Sequence, residues 1–271
     1  MDDFQDGDLT HRNIISAKQQ LWNSVDVWID HQADVEANYK ANDLRYSTYS
    51  KFQKRLFSYY VDLENLDRIL TDPNPIMSLF GVTEFKSKKD LIRHHFVFNR
   101  WDFFVGMFSL FEDAVCLIFN KITPPAEQNK LSYDVRTLAK NSEIMKEIKN
   151  QFPDDYDKIK NTLDEKDSFI PFKRKLLKLN GLSLLSDSNY HFCEFASHLR
   201  NTIHSNGYYK AKEDKPFKNI LGEDFELKSC NYLNFITVNR CITWANELIR
   251  IFKDIAEHPN TPFVLDETVN H

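Results

Sequence analysis

The sequence predicts an all-α protein: a helical bundle with a long central helix and a small β-hairpin inserted before the last helix. Three observations carry this expectation. Apolar residues recur at helical spacing through several long windows. Breakers are scarce, with six glycines and nine prolines in 271 residues, and that favours long uninterrupted helices. One segment, from Trp101 to Phe119, is hydrophobic on nearly every side, as suits a helix packed all round by others.

The first helix is expected from about Ile14 to Tyr39, where Ile15, Leu21, Trp22, Val25, Trp28 and Ile29 favour one side. A second runs from Asp43 to Leu70, with Phe52, Leu56, Phe57, Tyr60 and Leu63 at helical intervals until Asp72-Pro73-Asn74-Pro75 breaks the pattern. These two make an antiparallel hairpin. After a loop around Gly81, Ser87-Lys88-Lys89-Asp90 resembles a helix start and opens the central helix, which Thr123-Pro124-Pro125 stops after Ile122.

From Ser132 to Asn180 two or three shorter helical patterns are separated by Pro153-Asp154-Asp155 and Ile170-Pro171. Ser186-Asp187-Ser188 offers N-caps for a helix in which Phe192, Phe195, Ala196, Leu199 and Ile203 form a core stripe. Next, Tyr208-Tyr209-Lys210-Ala211-Lys212 and Phe225-Glu226-Leu227-Lys228 flank a polar loop containing Pro216 and Gly222, which suits a β-hairpin. The final helix is expected from Leu233 to Ile255, with a mobile tail beyond His258-Pro259. The organisation is therefore an N-terminal helical hairpin over 1–85 packed on the core, a main helical domain over 86–260 and a tail over 261–271.

A formal charge of -5 and a pI near 6.0 argue against a broadly basic surface that coats nucleic acid, so any such contact is local. Cys116, Cys193, Cys230 and Cys241 are far apart and form no Cys-x-x-Cys pair, which suggests neither a zinc site nor a disulfide framework. The acidic start Met1-Asp2-Asp3-Phe4-Gln5-Asp6 lacks the features of a secretory leader. The apolar run Phe103 to Phe111 falls well short of the roughly 20 residues that span a bilayer. A cytoplasmic protein without membrane or cofactor is the expectation.

The chemistry rests on Arg200-Asn201-Thr202-Ile203-His204-Ser205-Asn206-Gly207. Arginine keeps its charge and offers a rigid fork of donors suited to phosphate, while histidine exchanges a proton near neutrality. At i and i+4 the two share a helical face, in a stripe with Cys193 and Ser197 at the margin of the buried side. The same pair also suits an ordinary helix C-terminus, where cations meet free carbonyls before Gly207 ends the helix.

Other groups are weaker candidates. Lys173-Arg174-Lys175 with Lys178 would suit a phosphate backbone or simply a solvated helix face. His94-His95 invite a metal, but neighbours on a helix point about 100° apart and do not chelate together. No Gly-rich phosphate loop, Gly-x-Ser-x-Gly elbow or His-Glu-x-x-His occurs.

The motif helix resembles the HEPN superfamily (higher eukaryotes and prokaryotes nucleotide-binding domain), helical bundles with an Arg-polar-x-x-x-His motif near a helix end. Arg200, Asn201 and His204 are the matching positions. The order of a long helix carrying Glu112, the motif helix, a hairpin after Asn206-Gly207 and a closing helix is similar too, over about Ser87 to Ile255. Three residues separate Arg200 from His204, where the family's usual motif has four to six.

The resemblance implies a metal-independent endoribonuclease, a toxin or defence effector, acting as a homodimer with its Arg200/His204 helices facing across one cleft. The 2′-hydroxyl of RNA would attack the adjacent phosphate, with His204 as general acid or base and Arg200 stabilising the transition state. Asn201 would orient the phosphate or the imidazole, and Glu112 would hold Arg200 or else pair with any nearby cation. Tyr208, Tyr209, Lys210 and Lys212 would contact RNA by stacking and charge, or form an ordinary hairpin strand. For a toxin, an antitoxin protein is the expected neutralising partner. The alternative is a non-catalytic HEPN-like module that dimerises or binds nucleotide or RNA.

Overall fold

Helix α1 (His11–Asn38) folds back on α2 (Leu44–Thr71). Lys18 near the start of α1 pairs with Glu64 and Asp67 near the end of α2, and Trp28 stacks on Tyr49 at the other end, so the helices are antiparallel. The computed structural model describes residues 11–71, 88–131 and 170–266, with isolated positions between 146 and 156. The shorter helices expected between 132 and 169, and the loop around Gly81, lie outside the described residues.

The protein is mostly α-helical. A 35-residue helix α3 (Lys88–Ile122) is followed by the short α4 (Pro125–Leu131), then by α5 (Phe172–Gly181), α6 (Asp187–His204) and α7 (Val238–Ala256). Between α6 and α7 lie four short strands: β1 (Tyr208–Tyr209), β2 (Lys215–Ile220), β3 (Glu223–Leu227) and β4 (Asn231–Tyr232). Among the described residues no helix is long and apolar enough to cross a membrane.

The periodicity located α1 and α2 well but misjudged part of their inner face. Ile14, Ala17, Leu21, Val25 and Trp28 are buried, whereas Ile15, Trp22, Ile29 and Phe57 are exposed. Each exposed residue directly follows a buried one, where the stripe facing the neighbouring helices has already turned away. In α3, Phe103, Phe104, Met107, Phe108, Phe111, Val115, Ile118 and Phe119 are buried where α2, α5, α6 and α7 pack against it. Asp113 and Leu117 are exposed, however, and Val105, Gly106, Ser109 and Leu110 only half-buried, so the helix is not packed all round as expected.

The strands correct the expected hairpin. Tyr208–Tyr209 pairs with Asn231–Tyr232, while a separate hairpin joins Lys215–Ile220 to Glu223–Leu227. Its turn residues Leu221 and Gly222 both have positive φ, 51° and 88°, the signature of a type I′ turn whose twist matches the flanking strands. Pro216 lies inside β2, where a two-stranded ribbon leaves one side unpaired and tolerates the missing N–H. Phe217 and Phe225 carry this hairpin onto Phe195 of α6, with ring centroids 5.3 and 5.1 Å away, and Phe225 also meets Trp244 of α7 at 5.7 Å.

Two further boundaries move. The last helix begins at Val238 rather than Leu233, because the Thr237 side chain accepts the Arg240 N–H and caps it there. The segment expected to be a mobile tail is docked as far as Asp266. The Leu44 N–H donates to the Val264 carbonyl at 2.9 Å, and the buried Asp266 carboxylate accepts from Ser47 at 2.5 Å and Lys51 at 3.0 Å.

Candidate functional site

Helix α6 sets the site because both of its ends and one face are fixed. At its start the Ser186 side chain accepts the Asn189 N–H. Phe192, Phe195, Ala196, Leu199 and Ile203 are buried, as their spacing predicted, and this sets the helix's rotation. At its end Gly207, with φ +75°, donates to the Thr202 carbonyl at 3.0 Å. A Cβ at Gly207 would lie 2.5 Å from Cη2 of Trp101, so glycine is needed there for space as well as conformation.

With that rotation, Arg200 points toward α3. Its Nη2 donates to Glu112 Oε2 at 3.2 Å and its Nη1 to Asn201 Oδ1 at 3.0 Å, while the guanidinium carbon lies 5.9 Å from the centre of the Phe108 ring. Arg200 Nε is buried with no hydrogen-bond partner among the described residues. The guanidinium is therefore held on two sides, and its third edge is left unsatisfied.

These groups line a cavity of about 300 Å³ between α3, α5 and α6. Phe172 and Leu176 of α5 form its apolar wall, and Tyr190, Ser197 and His198 of α6 share the opposite side with Arg200 and Asn201. Glu194 sits on the same wall and takes hydrogen bonds from Lys173 at 2.9 Å and from Lys215 at 3.1 Å. Burial pushes the Glu194 carboxyl up, but these two bonds and the lysine charges outweigh it and hold it below the ordinary range. His198 is held below the usual imidazole range by burial, then by the charge of Lys215, so it is neutral near pH 7. The cavity thus offers two cation–carboxylate pairs and one neutral imidazole. A phosphate entering it competes with Glu112 for Arg200 and with Glu194 for Lys173.

The structure brings Arg200, Asn201 and Glu112 together. His204 lies one turn further along α6, exposed and outside the cavity lining. Tyr208 is half-buried with its ring edge-on to Tyr232 at 5.0 Å, and Lys210 and Lys212 are exposed. Tyr209 is only 9% exposed, so its ring packs inward rather than offering a stacking surface. The basic run is spoken for: Lys173 pairs with Glu194, Arg174 donates to the Leu131 carbonyl, Lys175 donates to Cys116 and Lys178 pairs with Glu127. His94 and His95 lie in α3, but their side chains are outside the described residues.

Sequence reasoning missed His198, Glu194 and Tyr190. Their signal was present as the i, i+4, i+8 series 190, 194, 198 beside Asn201, a polar stripe next to the apolar one. A larger, open groove of about 540 Å³ lies between α1, α7 and the Leu221 turn. Several of its polar groups are committed to one another, with Gln20 donating to Thr243 and Asn246 bridging Trp28 and Ser24. The smaller cavity, where arginine, carboxylates and a perturbed histidine converge, is the stronger candidate.

Among the described residues no three His, Cys, Asp or Glu side chains are grouped to hold a metal. Comparison with protein families, with curated proteins and with solved structures finds no match to this chain.

Proposed function

We propose that this chain is a metal-independent endoribonuclease of HEPN type, a helical bundle that acts in the cytoplasm as a toxin or defence effector. The observation that carries the reading is the fixing of Arg200 by Glu112 and Asn201 on a capped helix, with the exposed His204 following it. In this reading two copies meet along α6 and each contributes Arg200 and His204 to a shared cleft. His204, open to solvent, moves the proton as the 2′-hydroxyl of RNA attacks the adjacent phosphate. Arg200, already oriented, stabilises the charge that builds on the phosphorus centre. The products are a 2′,3′-cyclic phosphate and a free 5′-hydroxyl. Tyr208, Lys210 and Lys212 follow the motif and would guide the strand, and an antitoxin protein would cover the same face.

Incubation of the purified protein with mixed RNAs in EDTA tests this. Fragments ending in cyclic phosphate are expected; cleavage only after a divalent cation is added would contradict it. A second reading, a non-catalytic HEPN-like module for dimerisation or RNA binding, is favoured by one observation: Arg200 is engaged by Glu112 inside a cavity that His204 does not line. It predicts RNA binding or dimer formation without turnover.

A further inference from the structure

Lys175 of α5 lies against Cys116 of α3, with Nζ donating to Sγ at 3.0 Å. Lys175 Nζ also sits 5.9 Å from the centre of the Phe119 ring, so the amine is bracketed by one turn of α3. Both side chains are half-buried, which leaves the sulfur reachable by a small oxidant while the lysine stays in place. The other cysteines differ: Cys193 and Cys241 are buried, and Cys230 is exposed beside Ser229.

We infer that Cys116 and Lys175 are a modification site, joined on oxidation by a covalent N–O–S bridge between Nζ and Sγ. The step consumes dioxygen. Lys175 first releases its ammonium proton to solvent. The thiol then loses its hydrogen and the neutral amine loses one of its two, and those two hydrogens leave with one oxygen atom as water, while the second oxygen atom forms the N–O and O–S bonds. Sulfur and nitrogen each give up two electrons, and dioxygen accepts the four. A single bridging atom fits between groups already in contact, whereas a direct S–N bond requires the helices to close further. Burial pushes the Cys116 thiol up, and the hydrogen bond and charge of Lys175 only partly oppose it, so the resting sulfur is a protonated thiol that resists general alkylation.

The bridge would tie two walls of the cavity together. Glu112 stands one turn before Cys116 on α3, and Lys173 and Leu176 flank Lys175 on α5. The inference does not depend on the ribonuclease reading.

The test is the intact mass of the full chain, carrying Cys230→Ser to remove the exposed thiol, after aeration and again after dithiothreitol. The expected result is a gain of about 14 Da over the reduced protein, reversed by the reductant. A cross-linked peptide pair containing Cys116 and Lys175 should accompany it, and both signals should be absent from Cys116→Ser and from Lys175→Arg. Lys175→Gln replaces Lys175→Arg if the latter does not fold. Unchanged mass after aeration overturns the inference, as does a gain of about 16 Da that persists in the lysine variant.

Discussion

Arg200 Nη2 and Glu112 Oε2 are 3.2 Å apart, which ties the motif helix to α3 across 88 residues of sequence. Their side chains remain 30% and 25% exposed, so the pair contributes less than about 1 kcal/mol to stability. Its importance is positional: it aims a permanent cation. Glu112→Gln should therefore leave urea denaturation nearly unchanged and, on the proposed ribonuclease reading, slow RNA cleavage roughly ten- to hundred-fold, as expected when a charge-stabilising group loses its alignment. A large fall in stability with unaltered cleavage would show the pair to be a structural brace.

Gly207 tests how the end of α6 is held. Gly207→Ala puts a methyl into Trp101 at a positive φ, whereas a Cβ at Gly222, also at positive φ, meets nothing within 4 Å. The expected costs are about 3 kcal/mol for Gly207→Ala and about 1 kcal/mol for Gly222→Ala. Chemical denaturation of both variants checks the order, and equal losses would mean that the contact with Trp101 does not matter.

His198 makes a statement about pH. Its folded-state affinity for a proton is depressed, by burial first and by Lys215 second. The unfolded chain therefore binds the proton more readily, and the stability that His198 contributes is present above the unfolded value of about 6.5. It is lost as pH falls below that value toward the folded pKa. His198→Gln should flatten the stability curve between about pH 7 and 5. An NMR titration of the His198 ring protons with a midpoint at or above the ordinary value would contradict the assignment.

The docked end of the chain gives a further prediction. Asp266 is 1% exposed and accepts from Ser47 and Lys51. Asp266→Ala removes the buried carboxylate that accepts from both, leaving Ser47 its longer bond to the Leu44 carbonyl at 3.2 Å, and a loss of about 1 kcal/mol is expected in thermal or urea melts. No change would mean that this segment detaches readily in solution.

Where one physical signal dominated, the sequence was a good guide. Ser186 caps α6 and the Phe192–Ile203 stripe is buried because capping and burial periodicity act over a few residues and agree. α3 was legible as a helix from its length and apolar content, but the side that meets water, with Asp113 and Leu117 exposed, was not, because apolar residues such as Leu117 also occupy it. The nested ribbons were not legible, since Leu221 is an unusual residue for a positive φ and Tyr208–Tyr209 pairs with a segment more than 20 residues away. The docking of Asp266 depends on Ser47 and Lys51, two hundred residues earlier, and no local pattern marks it.

The site divided in the same way. The Arg200 and Asn201 pair was visible as a motif, and Glu112 as a carboxylate on the opposing helix. The place of His198 in the cavity and the exposure of His204 were not, because both depend on the rotation of α6 against α3 and α5. The basic run looked free in sequence because its partners Glu194, Glu127 and Cys116 lie on other helices.

The most direct test of the account is RNA cleavage in EDTA by the parent protein and by His204→Ala, with circular dichroism confirming that both are folded. Cleavage by the parent to cyclic-phosphate ends, absent in His204→Ala, is the predicted result and assigns the proton transfer to the exposed imidazole one turn beyond Arg200. Equal cleavage by the two proteins would contradict the role of His204, and intact RNA with both would contradict the nuclease reading itself in favour of a binding or dimerisation module.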